Sequence, residues 1–187
     1  EQRLASDDTK LAAIEDGEDR ALMCKYCHGA DGNSLKANVP NLAGQNPFYL
    51  LQQIEKFATR ERDDYVMSPL AAEFSPEDKV NVAIFYYSKA VKSQAIDGAL
   101  AEKGEAVFRL ICSSCHGTEG HGNEKFARLA GQQATYVENV LKGFRDNANK
   151  PDAQTTSARR SKVMEGVAKK LTDNQIKEIA AYVAQLP

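Results

Sequence analysis

Apolar residues recur three and four positions apart through two central stretches of the chain. Leu50, Ile54, Phe57 and Ala58 form one stripe; Val137, Val140, Leu141 and Phe144 form the other. That spacing predicts a helix with one buried face in each place. Asn46-Pro47 marks the start of the first, a capping side chain followed by proline at the first helical position, where an N–H has no helical partner to lose. Two earlier helices are predicted over residues 9–23 and 99–111, each running into a cysteine-containing hexapeptide. Two later ones open on Ser75-Pro76-Glu77-Asp78 and Thr172-Asp173-Asn174-Gln175, where a hydroxyl and the side chain three residues on can each cap the other's backbone N–H. Their predicted apolar faces are Val80, Ala83, Ile84 and Tyr87, and Ile176, Ile179, Ala180 and Val183. No segment alternates as a half-buried strand does, so the expected class is all-α.

The helices come in a repeated order. "CHGADGN" is answered by "CHGTEGHGN", "NLAGQNPFYL" (41–50) by "RLAGQQATYV" (128–137), and "MSPLAAEFSPED" (67–78) by "MEGVAKKLTDNQ" (164–175). The offset is 88 residues at the cysteines, 87 at Leu-Ala-Gly-Gln and 97 at the methionines. The second copy therefore carries about ten extra residues, in "NANKPDAQTTSARRS". Two equivalent helical domains are expected, residues 1–90 and 100–187, joined by a polar linker, "VKSQAIDGA" (91–99). Halves of about 90 residues bury a modest core, so an internal staple such as a cofactor would help each one.

Composition narrows the class. A hydrophobic fraction of 42% is that of a globular chain. The strongest apolar run, Val82-Ala83-Ile84-Phe85-Tyr86-Tyr87, is far too short to span a bilayer. The opening "EQRLASDD" has no apolar signal core, so the expectation is an intracellular protein or one whose leader has been removed. The formal charge of −2 conceals an asymmetry: residues 1–90 hold 10 Lys and Arg against 15 Asp and Glu, residues 91–187 hold 14 against 11. Such a dipole can orient a molecule towards a partner. No basic stretch exceeds "ARRSK" (158–162) and no aromatics interleave it, so no nucleic-acid partner is expected.

All four cysteines and two of the three histidines lie in "CKYCHG" (24–29) and "CSSCHG" (112–117). Two disulfides would leave the histidines unexplained. A Cys₄ zinc site wants pairs about 15–20 residues apart, whereas 84 residues separate Cys27 from Cys112. A thioredoxin-like pair wants a strand before it. Covalent haem uses every residue: two thiols one helical turn apart add to two vinyl groups, and the adjacent histidine ligates the iron. Cys24 and Cys27 with His28, and Cys112 and Cys115 with His116, are the expected sets. His121 is expected to be an exposed loop residue, and Met23, directly before Cys24, to pack a helix. Met67 and Met164 follow their histidines by 39 and 48 residues at matched places in the repeat. A thioether is a soft sixth ligand that favours ferrous iron; with both axial positions filled, the site exchanges electrons rather than binding substrate.

Two CxxCH modules, each followed by Leu-Ala-Gly-Gln, a downstream methionine and a final amphipathic helix, resemble the dihaem cytochrome c4 family over nearly the whole chain. The resemblance implies two class I cytochrome c domains in tandem about a pseudo-twofold axis, carrying two covalently bound c-type haems. It implies a bacterial periplasmic electron carrier, not an enzyme, exported with its leader removed and able to associate loosely with a membrane. Its redox partners would be a quinol-oxidising complex or another donor, and a terminal oxidase or reductase. "PNLAG" (40–44) matches the family segment whose carbonyl accepts from the proximal histidine, which nominates Pro40 for His28 and, in "ARLAG", Ala127 for His116. Arg62 is a candidate propionate partner, with Asn149 at the equivalent place; the two haems are then expected to differ in potential. Two other readings share these motifs: the dihaem subunit of a flavocytochrome sulfide dehydrogenase, and a dihaem enzyme with one displaceable axial ligand.

Overall fold

A computed structural model describes residues 6–96, 98–149 and 159–187, and all regular structure among them is helical. The helices form two runs in the same order. The first comprises α1 (Asp7–Arg20), α2 (Lys25–His28), α3 (Pro47–Ala58), α4 (Met67–Ala72) and α5 (Pro76–Tyr87); the second comprises α6 (Gly98–Ile111), α7 (Ser113–His116), α8 (Ala134–Asn149), α9 (Lys162–Ala168) and α10 (Asp173–Gln185). The predicted starts are present. Asn46 caps α3 through Phe48 and Tyr49, and Ser75 with Asp78, and Thr172 with Gln175, form reciprocal capping boxes. Two short helices in each run, one on the CxxCH and one on the methionine, complete the pattern.

In each run the first helix crosses the last, the middle helix packs on the last, and the methionine helix packs on the middle one. The crossings are set by glycine. A Cβ on Gly17 would lie 2.2 Å from the Asn81 carbonyl oxygen, and one on Gly104 would lie 1.9 Å from that of Glu178. These two glycines are 87 residues apart, the offset of the repeat. Buried clusters form around the crossings, with Phe85, Tyr86 and Leu50 in one half and Phe108, Phe144, Ile176 and Val183 in the other. The predicted stripe of α10 is buried as expected. That of α5 needs correction. Residues 81–86 are all buried, while Tyr87 is 43% exposed. The reason is that α5 is enclosed from several sides: α1 and α3 pack on it and the Gly44 N–H bonds to the Tyr86 carbonyl, so no single face faces solvent.

The two halves meet along their Leu-Ala-Gly-Gln segments. The Gln45 carboxamide accepts from the Arg128 N–H (2.7 Å) and donates to the Arg128 carbonyl (2.9 Å). Gln132 does the same to Asn41, accepting from its N–H (2.7 Å) and donating to its carbonyl (3.0 Å). The exchange is reciprocal, the mark of a pseudo-twofold relation. The linker is not a loose tether. Val91 lies against both Gly44 and Gly131, whose added Cβ atoms would each come within 2.5 Å of it. Both glycines also take positive φ, 61° and 71°. The Lys92 N–H donates to Asn33 Oδ1, and the Gln94 N–H to the Ala184 carbonyl, so the linker is fastened to each half. Most of the predicted ten-residue insertion, 150–158, lies outside the described residues.

Candidate functional site

Each CxxCH forms a single helical turn, which brings the first and second cysteine to one side as their i, i+3 spacing requires. All four cysteines are half-buried free thiols. Burial pushes the Cys24 thiol up, and Cys112 up to about 11. Among the described residues no three His, Cys, Asp or Glu side chains converge as metal ligands. The turn ends in Gly29 or Gly117 at φ near +80°. At Gly29 a Cβ would strike the Asn33 carbonyl at 2.2 Å, so glycine is required where the chain leaves the first histidine.

Both histidines are buried and held alike. His28 Nδ1 lies 2.8 Å from the Pro40 carbonyl and His116 Nδ1 lies 2.8 Å from the Ala127 carbonyl. A carbonyl only accepts, so each Nδ1 carries the proton and Nε2 keeps its lone pair. Burial lowers both imidazole pKa values against the opposing pull of those carbonyls, which favours the neutral form a metal needs. Pro40 and Ala127 therefore carry the carbonyls that the family resemblance nominated, and alanine in place of proline in the second half leaves the 2.8 Å contact unchanged.

Met67 and Met164 are half-buried at the starts of α4 and α9. The Met67 N–H donates to Asp64 Oδ1 (2.9 Å) and the Met164 N–H to Ser161 Oγ (3.3 Å). Asp64 and Ser161 are themselves 97 residues apart, so both methionines are presented by the same local device. Met164 and Cys112 lie against one buried cluster; Met67 packs through α4 on α3 instead. His121 is exposed, as expected. Met23 is not a packing residue: it is 68% exposed beside the first cysteine, because α1 ends at Arg20 and the buried series Ala13, Gly17, Ala21 stops two residues short of it.

Arg62 does have a counterpart. It is Arg159, not Asn149, because the insertion shifts the offset from 87 to 97 before that point. Arg62 stacks on Phe57 (4.4 Å) and Arg159 on Phe144 (5.5 Å). Both guanidinium groups reach the Tyr136 hydroxyl, at 3.2 and 3.1 Å, and Arg159 also bonds to the Tyr49 hydroxyl. Burial alone would push the Tyr136 phenol up, but Arg159 and Arg62 outweigh it and hold it below the usual value. Among the described residues neither arginine has a carboxylate within ion-pair distance. The pair lines a cleft of about 460 Å³ at the seam. Tyr49 and Tyr136, repeated at an offset of 87, were visible in sequence but carried no chemical signal there.

Free, half-buried thiols one turn apart, and a buried neutral histidine with Nε2 available, fit a covalently tethered haem in each half. Fold and site together define a c-type cytochrome with two haem positions. The comparisons agree. The cytochrome c family model matches residues 101–187. Cytochrome c4 of Pseudomonas aeruginosa is 34% identical over 180 residues, covering 91% of this chain and 87% of that one. The crystal structure of reduced recombinant cytochrome c4 from Pseudomonas stutzeri superposes with a TM-score of 0.82 at 31% identity, covering 93% and 98% of the two chains. A protein named thiosulfate dehydrogenase electron acceptor, from Stutzerimonas stutzeri, is 30% identical over 99% of this chain and 88% of its own length. The chain belongs to the cytochrome c4 family: it is a dihaem electron-transfer cytochrome with two covalently bound c-type haems.

Proposed function

We propose that Cys24 and Cys27 carry one haem with His28 and Met67 as its axial ligands, and that Cys112 and Cys115 carry the other with His116 and Met164. The paired presentation of histidine and methionine in both halves is the observation that carries this reading. Bound haem supplies reversible one-electron exchange between ferric and ferrous iron. The chain's own part is to hold each imidazole neutral and oriented through Pro40 or Ala127, to present a thioether from the first turn of a short helix, and to keep water from the core. Arg62 and Arg159, charged and without carboxylate partners among the described residues, are the groups that would receive the haem carboxylates at the seam. The two domains span 1–90 and 100–187, joined by 91–99, whose last two residues begin α6.

The carrier works in the bacterial periplasm between a quinol-oxidising complex, or another donor, and a terminal oxidase or reductase. The relative from Stutzerimonas stutzeri favours one alternative donor, a thiosulfate-oxidising enzyme. No described helix is long and apolar enough to cross a membrane. Intact-mass spectrometry with a redox titration tests the assignment. The polypeptide should carry the added mass of two haems, and the titration should resolve two one-electron steps with low-spin spectra. A bare polypeptide, or a high-spin ferrous form that binds carbon monoxide readily, would refute it. The acidic first half and basic second half also predict that reduction by a charged partner slows several-fold between about 10 and 200 mM salt, as the screening length shrinks. A rate indifferent to salt in stopped-flow traces would rule out steering.

A further inference from the structure

We infer that Gln132 and Gln45 tune the haem of the opposite domain, each acting through a single peptide group on that domain's proximal histidine. The peptide between residues 40 and 41 is engaged at both ends. Its oxygen, the Pro40 carbonyl, takes the proton of His28 Nδ1 at 2.8 Å; its nitrogen, the Asn41 N–H, donates to Gln132 Oε1 at 2.7 Å. The peptide between residues 127 and 128 repeats the arrangement, with the Ala127 oxygen on His116 at 2.8 Å and the Arg128 N–H on Gln45 Oε1 at 2.7 Å. Each glutamine therefore sits in one half, and the histidine at the far end of its hydrogen-bond chain sits in the other.

A peptide group is one conjugated unit. An acceptor that draws on its N–H increases the negative charge on its oxygen, so hydrogen bonds at the two ends strengthen each other by about 10–30%. A more negative oxygen draws harder on Nδ1–H, which makes the imidazole more anionic and a better donor to ferric iron. The glutamine thus lowers the reduction potential of the haem across the seam. Gln132 and Asn41 are both buried, so water cannot take over the role. The relay exists only while the halves are docked, and each potential consequently reports on its neighbour. Gln45 and Gln132 are positioning residues: they touch neither iron nor ligand nitrogen.

This inference rests on His28 and His116 being the iron ligands, and its test separates the two. Redox titrations of the full haem-loaded chain are followed by NMR at the Gly29 and Gly117 amides, which adjoin the two histidines and report each haem's oxidation state. At the wild-type midpoint of the first haem, Gln132→Leu should raise its ferrous-to-ferric ratio about threefold, a shift of ~28 mV at 59 mV per tenfold, and leave the second haem nearly unmoved. Gln45→Leu should do the reverse. Gln132→Glu keeps an acceptor oxygen and should return the first potential to the wild-type value or below. Gln133→Ala removes other bonds across the seam, from Gln133 Nε2 to the Ser34 carbonyl and to Asn41 Oδ1, while leaving the Asn41 N–H on Gln132, and should reproduce neither shift. Equal movement of both haems, movement in the mutated half alone, or no movement while the low-spin spectrum persists overturns the relay. A wild-type spectrum without histidine ligation would overturn the ligand assignment instead. If a leucine variant fails to fold, Gln132→Met or Gln45→Met, close to glutamine in length but with no acceptor for the peptide N–H, should raise the same haem's ferrous-to-ferric ratio, and a folded methionine variant with an unmoved potential overturns the relay.

Discussion

Met67→Ala and Met164→Ala should each remove half of the near-infrared thioether-to-iron band of the oxidised protein, and the double variant should remove all of it. The expectation follows from the equivalence of the two residues. Each lies in the first turn of a short helix packed on the middle helix of its half, and each has its N–H held by the side chain three residues before it, Asp64 or Ser161. Loss of a soft sulfur ligand also removes a preference for ferrous iron, so the potential of the affected haem should fall. Both changes are large because ligation is all-or-none at each iron. Carbon monoxide should then bind to one haem per molecule in either single variant, read as half the spectral change of the double variant. A single variant that keeps the full band would show that its methionine is not a ligand.

Gly104→Val should cost about 3 kcal/mol or more, the upper part of the range for overpacked interiors. A Cβ at this position would meet backbone, the Glu178 oxygen at 1.9 Å and its carbonyl carbon at 2.4 Å, with the Tyr182 Cβ at 2.9 Å behind them. No rotamer change relieves a clash with backbone, so α6 and α10 must separate and the cluster of Phe108, Ile179 and Val183 must open. For a domain of roughly 90 residues, each kcal/mol lowers Tm by about 4–8 °C. The second half should therefore lose over 10 °C in calorimetry, more than enough to read. Gly17→Val should do the same to the first half, somewhat less severely, since its closest approach is 2.2 Å. A melting curve unchanged in Gly104→Val would mean that the helices do not cross at this distance.

The parts of the site legible in sequence were those whose chemistry depends on near neighbours. Cys-x-x-Cys-His is one helical turn, so its geometry is contained in five residues, and α2 and α7 follow. Capping boxes span four residues and were found where expected. The carbonyls of Pro40 and Ala127 were reachable because the resemblance to a known family placed them. Met23 and Tyr87 went astray because a periodic stripe assumes one solvent side, whereas α1 stops short of Met23 and α5 is packed on several sides. Arg159 went unread because the insertion broke the register, and at an offset of 87 the counterpart of Arg62 is an asparagine.

Sequence alone determined two haem-binding turns, two histidines with matched methionines, and a tandem helical architecture, because each is encoded in short-range spacing or in the repeat itself. Tertiary structure decided what the repeat is for. Gln45 and Gln132 recur visibly, yet nothing local shows that each grips the backbone beside the other half's histidine, or that Val91 lies between Gly44 and Gly131. Those contacts join residues about 40 to 90 positions apart through side-chain amides and bare backbone. Their meaning depends on distance and direction in space, which no periodicity along the chain records.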